Sequence, residues 1–263
     1  AEHNLILGMC MGMMRDPSYF EQPPYLAVVE NRGEVVTTAL MTPPSELLLS
    51  VSPSPAPISI IARDLHEGFA DLPGVLAPVP SCRWFAEAWA ALTGRTWRKR
   101  VAERIYRLES VTPVSGVRGE LRRATEEDLD LLAEWLVTFA WESDERRMDP
   151  RHAREVVVRR LHGGAEGTHL WEDGGPVSMA SYSGPTPNGI RIGRVYTPPG
   201  YRGRGYARAC VAALSQFLLD SGYKYCFLFA DLSNPTSNRL YQSIGYRPIR
   251  DADEYEFLPA PTS

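Results

Sequence analysis

Two hydrophobic periods alternate along the second half of the chain. Leu129, Leu132, Leu136 and Phe139 fall near helical spacing and predict an amphipathic helix. Thr125 precedes them with Asp128 three positions on, the pattern of a capping box. Glu120 to Ala124, just upstream, reads as a short strand. Pro150 opens a second helix that carries Val156, Val157 and Leu161, and Gly163-Gly164 closes it. Period two then takes over. Thr168 to Asp173 and Pro176 to Ser183 flank Gly174-Gly175, a hairpin signal, and Gly189 to Thr197 follows as a third strand. A Gly/Arg loop from Gly200 to Gly205 leads into a helix with the apolar stripe Ala207, Cys210, Val211, Leu214 and Leu218, ended by Gly222. Tyr225 to Leu232 is an almost unbroken apolar run, as expected of a strand covered on both faces. Pro235 to Ile244 is a short helix closed by Gly245, and Tyr246 to Phe257 makes one or two strands.

The first half repeats this order. Tyr25 to Glu30 and Glu34 to Leu40 form a hairpin around Asn31-Arg32-Gly33. Shifted by 142 positions it overlays Gly167 to Tyr182, matching Glu30 with Glu172, Gly33 with Gly175 and Val35 with Val177. Glu46 to Val51 then matches the third strand, Ser59 to Ala70 the next helix and Gly74 to Ala77 the next strand. Ser81 to Thr93 is the last helix, ended by Gly94, and Arg98 to Val111 a final strand. The shared order points to a tandem duplication. The segment Thr112-Pro113-Val114-Ser115-Gly116 is a linker signal, so the expected domains are 1–115 and 116–263.

Composition narrows the functional classes. A chain of 263 residues, 44% hydrophobic, has enough apolar side chain for one large core or two small ones. A net charge of −4 argues against a general nucleic-acid binder. No apolar run approaches the ~20 residues of a membrane helix. Leu5 to Met14 is apolar but short, contains Gly8 and Gly12, and lacks the basic start of a signal peptide. The four cysteines, Cys10, Cys82, Cys210 and Cys226, show no metal-ligand spacing, and the last three sit in apolar segments. Free buried thiols in a reducing cytoplasm are expected. The five histidines, His3, His66, His152, His162 and His169, are scattered and expected to be surface or hydrogen-bonded residues, with no metal site. Only Lys99 and Lys224 of the 28 basic residues are lysine, which reads as genome composition bias.

The chemistry concentrates between Arg194 and Ala207. A strand there runs into a glycine-bearing loop that opens a helix, and the first helical turn leaves backbone N–H groups for an anion. Gly203 and Gly205 let the backbone approach a phosphate closely, Ala207 is small, and Arg202 and Arg204 add positive charge. The loop suits a phosphate or pyrophosphate. It is neither a G-x-x-x-x-G-K-[ST] loop nor the G-x-G-x-x-G of a dinucleotide fold. Nor does a single RGRG between a strand and a periodic helix look like a repetitive RNA-binding tail.

The pattern Arg202-x-x-Gly205-x-Ala207 resembles the acetyl-CoA pyrophosphate loop of the GNAT superfamily, the acetyl-CoA-dependent N-acetyltransferases. Downstream, Asn234 to Tyr241 followed by Gly245-Tyr246 resembles that superfamily's second signature, one helix and one strand further on. The resemblance covers about 120–257. It implies an α+β fold: two tandem domains, each a mixed, mostly antiparallel central sheet flanked by helices, the first a degenerate copy. It further implies a cytoplasmic enzyme, monomer or homodimer, that transfers an acetyl group from acetyl-CoA to a primary amine on a small molecule or peptide by direct attack in a ternary complex. Backbone groups of Val195, Tyr196 and Thr197 would pair with the pantetheine arm, and the Val195 N–H would polarise the thioester carbonyl. Amides across Arg202, Gly203, Arg204, Gly205, Tyr206 and Ala207 would hold the pyrophosphate. Asn234 would bond the pantetheine, and Tyr241 would protonate the departing thiolate, its packing role in the core being the competing reading.

Two departures stand out. Many relatives place a glutamate on the strand before the loop, whereas Gly189 to Arg194 holds no carboxylate. Glu142, Asp144 and Asp231 are the possible substitutes, and the acidic helix carrying Glu126, Glu127, Asp128, Asp130 and Glu134 could attract an amine or be merely solvated. The missing base keeps a second expectation open, a non-catalytic acyl-CoA sensor or scaffold; a transferase of longer acyl groups is a third. In the first half, Ser52 to Ile58 replaces the phosphate loop, and its three prolines remove three backbone donors. Ala90 stands opposite Tyr241 and Arg83 opposite Asn234. A non-catalytic first half is expected, a platform or one wall of the substrate cleft.

Overall fold

The computed structural model describes residues 4–16, 22–69, 71–144 and 147–259, with the Asp144 side chain excluded. His3 and the expected helix end at Ala70 lie outside the described residues. In chain order the elements are α1 (Asn4–Arg15), β1 (Tyr25–Asn31), β2 (Glu34–Met41), β3 (Leu47–Leu49), α2 (Pro55–Gly68), β4 (Gly74–Pro78), α3 (Ser81–Thr93) and β5 (Thr96–Leu108). There follow β6 (Glu120–Arg123), α4 (Leu129–Asp144), α5 (Pro150–His162), β7 (Gly167–Glu172), β8 (Pro176–Ser183), β9 (Gly189–Tyr196), α6 (Tyr206–Asp220), β10 (Tyr225–Asp231), α7 (Pro235–Ser243) and β11 (Arg247–Leu258). The expected order therefore recurs element by element in both halves.

The helix α1 is the exception, since the apolar start carried no such expectation. Its leucines and methionines are strong helix formers, and they outweigh the ~1 kcal/mol that each of Gly8 and Gly12 costs.

The chain divides into two compact units that are not contiguous in sequence. Unit 1 comprises Ala1–Tyr106, Phe229–Asn238 and Pro248–Ser263; unit 2 comprises Arg107–Leu228 and Arg239–Arg247. The expected second block, 116–263, thus gives up its last strand. In unit 1 the strand order is β1-β2-β3-β4-β11-β5, with β3 and β4 parallel and β11 antiparallel to β4 from Ala252↔Pro78 to Glu256↔Gly74. The physical reason is on the side chains. Tyr255 and Phe257 of β11 enter the core formed by Leu47, Ile58, Leu65, Phe85 and Trp89. Charge adds to this: Arg98, Lys99, Arg100 and Arg104 of β5 pair with Glu256, Asp253, Glu254 and Asp251 of β11.

In unit 2 the order is β10-β9-β8-β7-β6, antiparallel apart from the parallel β9–β10 pair. Leu132, Trp135 and Leu136 of α4 and Val156 and Val157 of α5 pack on Leu170, Met179 and Tyr196 of the sheet. The expected capping box is present: Thr125 N donates to Asp128 Oδ2 at 2.8 Å. Bonding to the Arg122 guanidinium holds the Asp128 carboxyl below its usual range.

The two hairpins share a local detail. Pairing shifts between Val29 and Glu30 in the first and between Trp171 and Glu172 in the second, positions 142 apart. A shared irregularity at the matching step is what duplication of one hairpin leaves. Cys82, Cys210 and Cys226 are buried free thiols, as expected, and Cys10 is half-buried. Burial pushes the Cys210 and Cys226 thiols up to about 12. The histidine expectation needs one correction. His169 is 4% exposed, lies against Phe217 and Tyr182, and its Nδ1 finds no hydrogen-bond partner among the described residues. Its position on β7, covered by α6, decides this, and nothing local in sequence announces it.

Candidate active site

β9 carries the site's backbone. Its ladder with β8 passes from Ser181↔Gly193 to Met179↔Tyr196, so Arg194 and Val195 together face the single residue Ala180. This is a β-bulge, and Arg194 takes a left-handed φ of 50° to make it. For a residue with a Cβ that conformation is uncommon and is retained where surrounding structure fixes it. The bulge takes the Val195 backbone out of regular register at the position singled out from sequence. On its other side, the parallel ladder with β10 covers only Gly189 to Arg191, so it ends five residues before β9 does. Ser178 holds the strand end, its hydroxyl bonding the Tyr196 carbonyl at 3.1 Å and the Thr197 hydroxyl at 2.8 Å.

The loop after β9 has an open, glycine-bearing backbone where an anion cradle is expected. Gly203 and Gly205 adopt φ of 77° and 84°, conformations that disfavour any side chain. Gly205 is the N-cap of α6, and no side chain caps the helix there. A Cβ on Gly203 would meet nothing within 4 Å, so the backbone faces open space. A Cβ on Gly205 would come within 3.0 Å of Val117, whose segment lies against the loop. The first turn of α6 thus begins without a side-chain cap, as a polyanion site needs. This fits a pyrophosphate. Tyr206 is anchored by its hydroxyl, which donates to Asp173 at 2.6 Å, leaving its backbone to the cradle. Arg204 lies over the Tyr201 ring. Arg202 donates to the Thr197 carbonyl at 2.8 Å, pairs with Glu142 and covers the Tyr196 ring.

Tyr241 lies on α7, 9% exposed, edge-on to Tyr246. Burial pushes its hydroxyl up to about 12, so it is protonated throughout the physiological range. Tyr246 is the core aromatic of the pair, hydrogen-bonded to Ser215 and 2% exposed. Asn234 precedes α7 and its Oδ1 accepts from Ser237 N at 3.0 Å, which fixes the side chain and leaves its amide N–H groups to serve a ligand. Of the possible bases, Glu142 is engaged by Arg202, Asp231 accepts from the Ser233 amide and hydroxyl, and the Asp144 side chain lies outside the described part. The Arg194 bulge, the Ser178 clamp and the Glu142–Arg202 pair escaped the sequence reading. The bulge and the clamp depend on strand register, and only the opposite charges of the last pair left any trace.

The sequence profile of the Acetyltransferase (GNAT) family matches residues 129–246. That segment is a GNAT acetyltransferase domain. No curated protein matches the chain by sequence. Among solved structures, a GCN5-related N-acetyltransferase from Kribbella flavida is similar with a TM-score of 0.61 at 16% identity, over 98% of this chain and 95% of that one. One from Sphaerobacter thermophilus gives 0.61 at 16% identity over 93% and 84%. A tandem GNAT protein from the clavulanic acid biosynthesis pathway gives 0.55 at 16% identity, over 97% and 88%. These likenesses span both halves and show the fold: two GNAT-like domains in tandem. Among the described residues no helix is long and apolar enough to cross a membrane, and no group of His, Cys, Asp or Glu is placed to hold a metal.

Proposed function

We propose that the GNAT domain transfers an acetyl group from acetyl-CoA to a primary amine by direct attack, both substrates being bound together. The observation that carries this reading is the Arg194–Val195 bulge running directly into the uncapped glycine loop of α6. One backbone stretch thus presents N–H groups first to an acyl carbonyl and then to a pyrophosphate. Acetyl-CoA brings the activated acyl group. The Val195 N–H donates to the carbonyl oxygen as charge develops there. The Val195, Tyr196 and Thr197 backbone aligns the pantetheine, with Asn234 as a further donor. The loop 202–207 holds the phosphates. Tyr241 donates its hydroxyl proton toward the leaving sulfur. A thiol has an ordinary pKa of about 8.5, so its thiolate leaves readily once hydrogen-bonded.

A second reading, an acyl-CoA sensor without turnover, is favoured by one observation: β9 carries no carboxylate, and Glu142 is held by Arg202. Thiol release from acetyl-CoA in the presence of an amine panel separates the two, with products identified by mass spectrometry. Amine-dependent thiol release is expected. Tight binding of acetyl-CoA with no release from any amine would establish the sensor.

A further inference from the structure

Three arginines, Arg202, Arg204 and Arg208, flank the start of α6, and their partners differ. Arg202 donates to the Thr197 carbonyl at 2.8 Å and pairs with Glu142. Arg204 lies over the Tyr201 ring. Arg208 is different. Its Nε is buried and finds no hydrogen-bond partner among the described residues, and the first turn of α6 supplies no acid. Asp173, the carboxylate that meets this turn, accepts from the Tyr206 hydroxyl at 2.6 Å and stands 3.5 Å from the Arg118 guanidinium.

Helix geometry sets the direction of the Arg208 side chain. Helical side chains tilt toward the N-terminus and lie over the preceding turn. Arg208, the third residue of α6, accordingly returns to the N-cap: a Cβ placed on Gly205 would lie 4.0 Å from its Nη2. This is an unfavourable place for an uncompensated cation. The helix dipole puts partial positive charge there, and a buried Nε without an acceptor is desolvated with no bond to replace its water. Such a group calls for a partner from outside the chain, and at this end of a helix the fitting partner is an anion.

We infer that Arg208 is the cation that binds the pyrophosphate of CoA, while the Arg202 side chain positions the end of β9. This rests on the acyl-CoA reading of the loop and adds to it a side-chain ligand beyond 202–207. The loop amides fix where the anion sits, and a guanidinium beside them supplies charge-assisted bonds to it.

The test is calorimetric titration of the full chain with CoA and with dephospho-CoA, which keeps the pyrophosphate and lacks the 3′-phosphate. Arg208→Gln is expected to weaken both about tenfold or more, and Arg208→Lys to recover part of the loss. Arg202→Gln is expected to weaken both by less than about threefold. Removing a cation from the positive end of a helix relieves repulsion, so Arg208→Gln is expected to melt no lower than the parent. Weakened binding with lowered melting, not recovered by Arg208→Lys, would make Arg208 a structural residue and overturn the inference. Binding by the parent with no loss in Arg208→Gln overturns it and leaves the acyl-CoA reading standing. No binding of CoA by the parent overturns both. A loss seen with CoA and not with dephospho-CoA moves Arg208 to the 3′-phosphate and overturns the pyrophosphate assignment. A larger loss in Arg202→Gln than in Arg208→Gln gives the phosphates to Arg202 instead.

Discussion

Two side chains concentrate the chemistry and the pH sensitivity of unit 2. Tyr241→Phe keeps the ring beside Tyr246 and removes the only proton it can offer. Its kcat is expected to fall ~100-fold or more with acetyl-CoA affinity nearly unchanged, the usual scale for a lost general acid. Steady-state kinetics with isothermal titration checks this, and full activity in the variant would assign Tyr241 to packing alone. His169 contributes to acid sensitivity. Burial, with the nearby Arg123 charge adding to it, lowers its pKa from 6.5 to about 4. The folded state thus binds this proton less readily than the unfolded chain. The stabilisation is complete above about pH 6.5 and is lost as pH falls toward 4, by roughly 3 kcal/mol at most. Urea unfolding between pH 7 and pH 4 should therefore show a steeper loss in the parent than in His169→Phe. Equal slopes would contradict the assignment.

At the scale of elements, the two strand–loop–helix turns have the same place in their units and opposite capacities. In unit 2, Gly205 opens α6 with a φ of 84° and no side-chain cap. Gly205→Asp places a carboxylate where a pyrophosphate is expected and crowds Val117. Loss of acetyl-CoA binding is expected, with roughly 1–2 kcal/mol of lost stability from the left-handed backbone; calorimetry and a denaturant melt measure the two separately. In unit 1, the matching turn leads into α2 through Pro53, Pro55 and Pro57. The Ser52 amide, which could still donate, is taken by the Ser81 hydroxyl at 2.9 Å. One acetyl-CoA site per chain is therefore expected, and a calorimetric stoichiometry of two equivalent sites would refute it.

At the scale of the whole molecule, the decisive strand is β11. It follows the last helix of the GNAT domain, yet it pairs with β4 and places Tyr255 and Phe257 in the unit 1 core. A fragment spanning 116–263 would carry this strand without β4 and without β5 and its cations. Its edge and its apolar face would both be exposed, a combination that favours aggregation. That fragment is expected to melt without a cooperative transition and to self-associate, although it contains every proposed cofactor contact. Analytical ultracentrifugation and circular dichroism test this. A soluble, cooperative fragment would show that β11 contributes little to folding.

Sequence by itself determined the order of elements, the hairpin turns, the glycine loop and the helix that follows it. Each of these rests on local physics. Period, turn residues and caps act within a dozen positions, and the anion cradle is built from consecutive amides. The duplication was legible for the same reason, as two copies of one local order. Tertiary structure decided what depends on partners far along the chain. The Arg194 bulge exists only against β8, the burial of His169 only under α6, and the engagement of Glu142 only across to Arg202. Above all it decided where β11 goes. The basic run Arg98 to Arg104 and the acidic run Asp251 to Glu256 stand about 150 residues apart, and no local period connects them. Only closing that loop, with the burial of Tyr255 and Phe257 to repay its entropy, brings the two together.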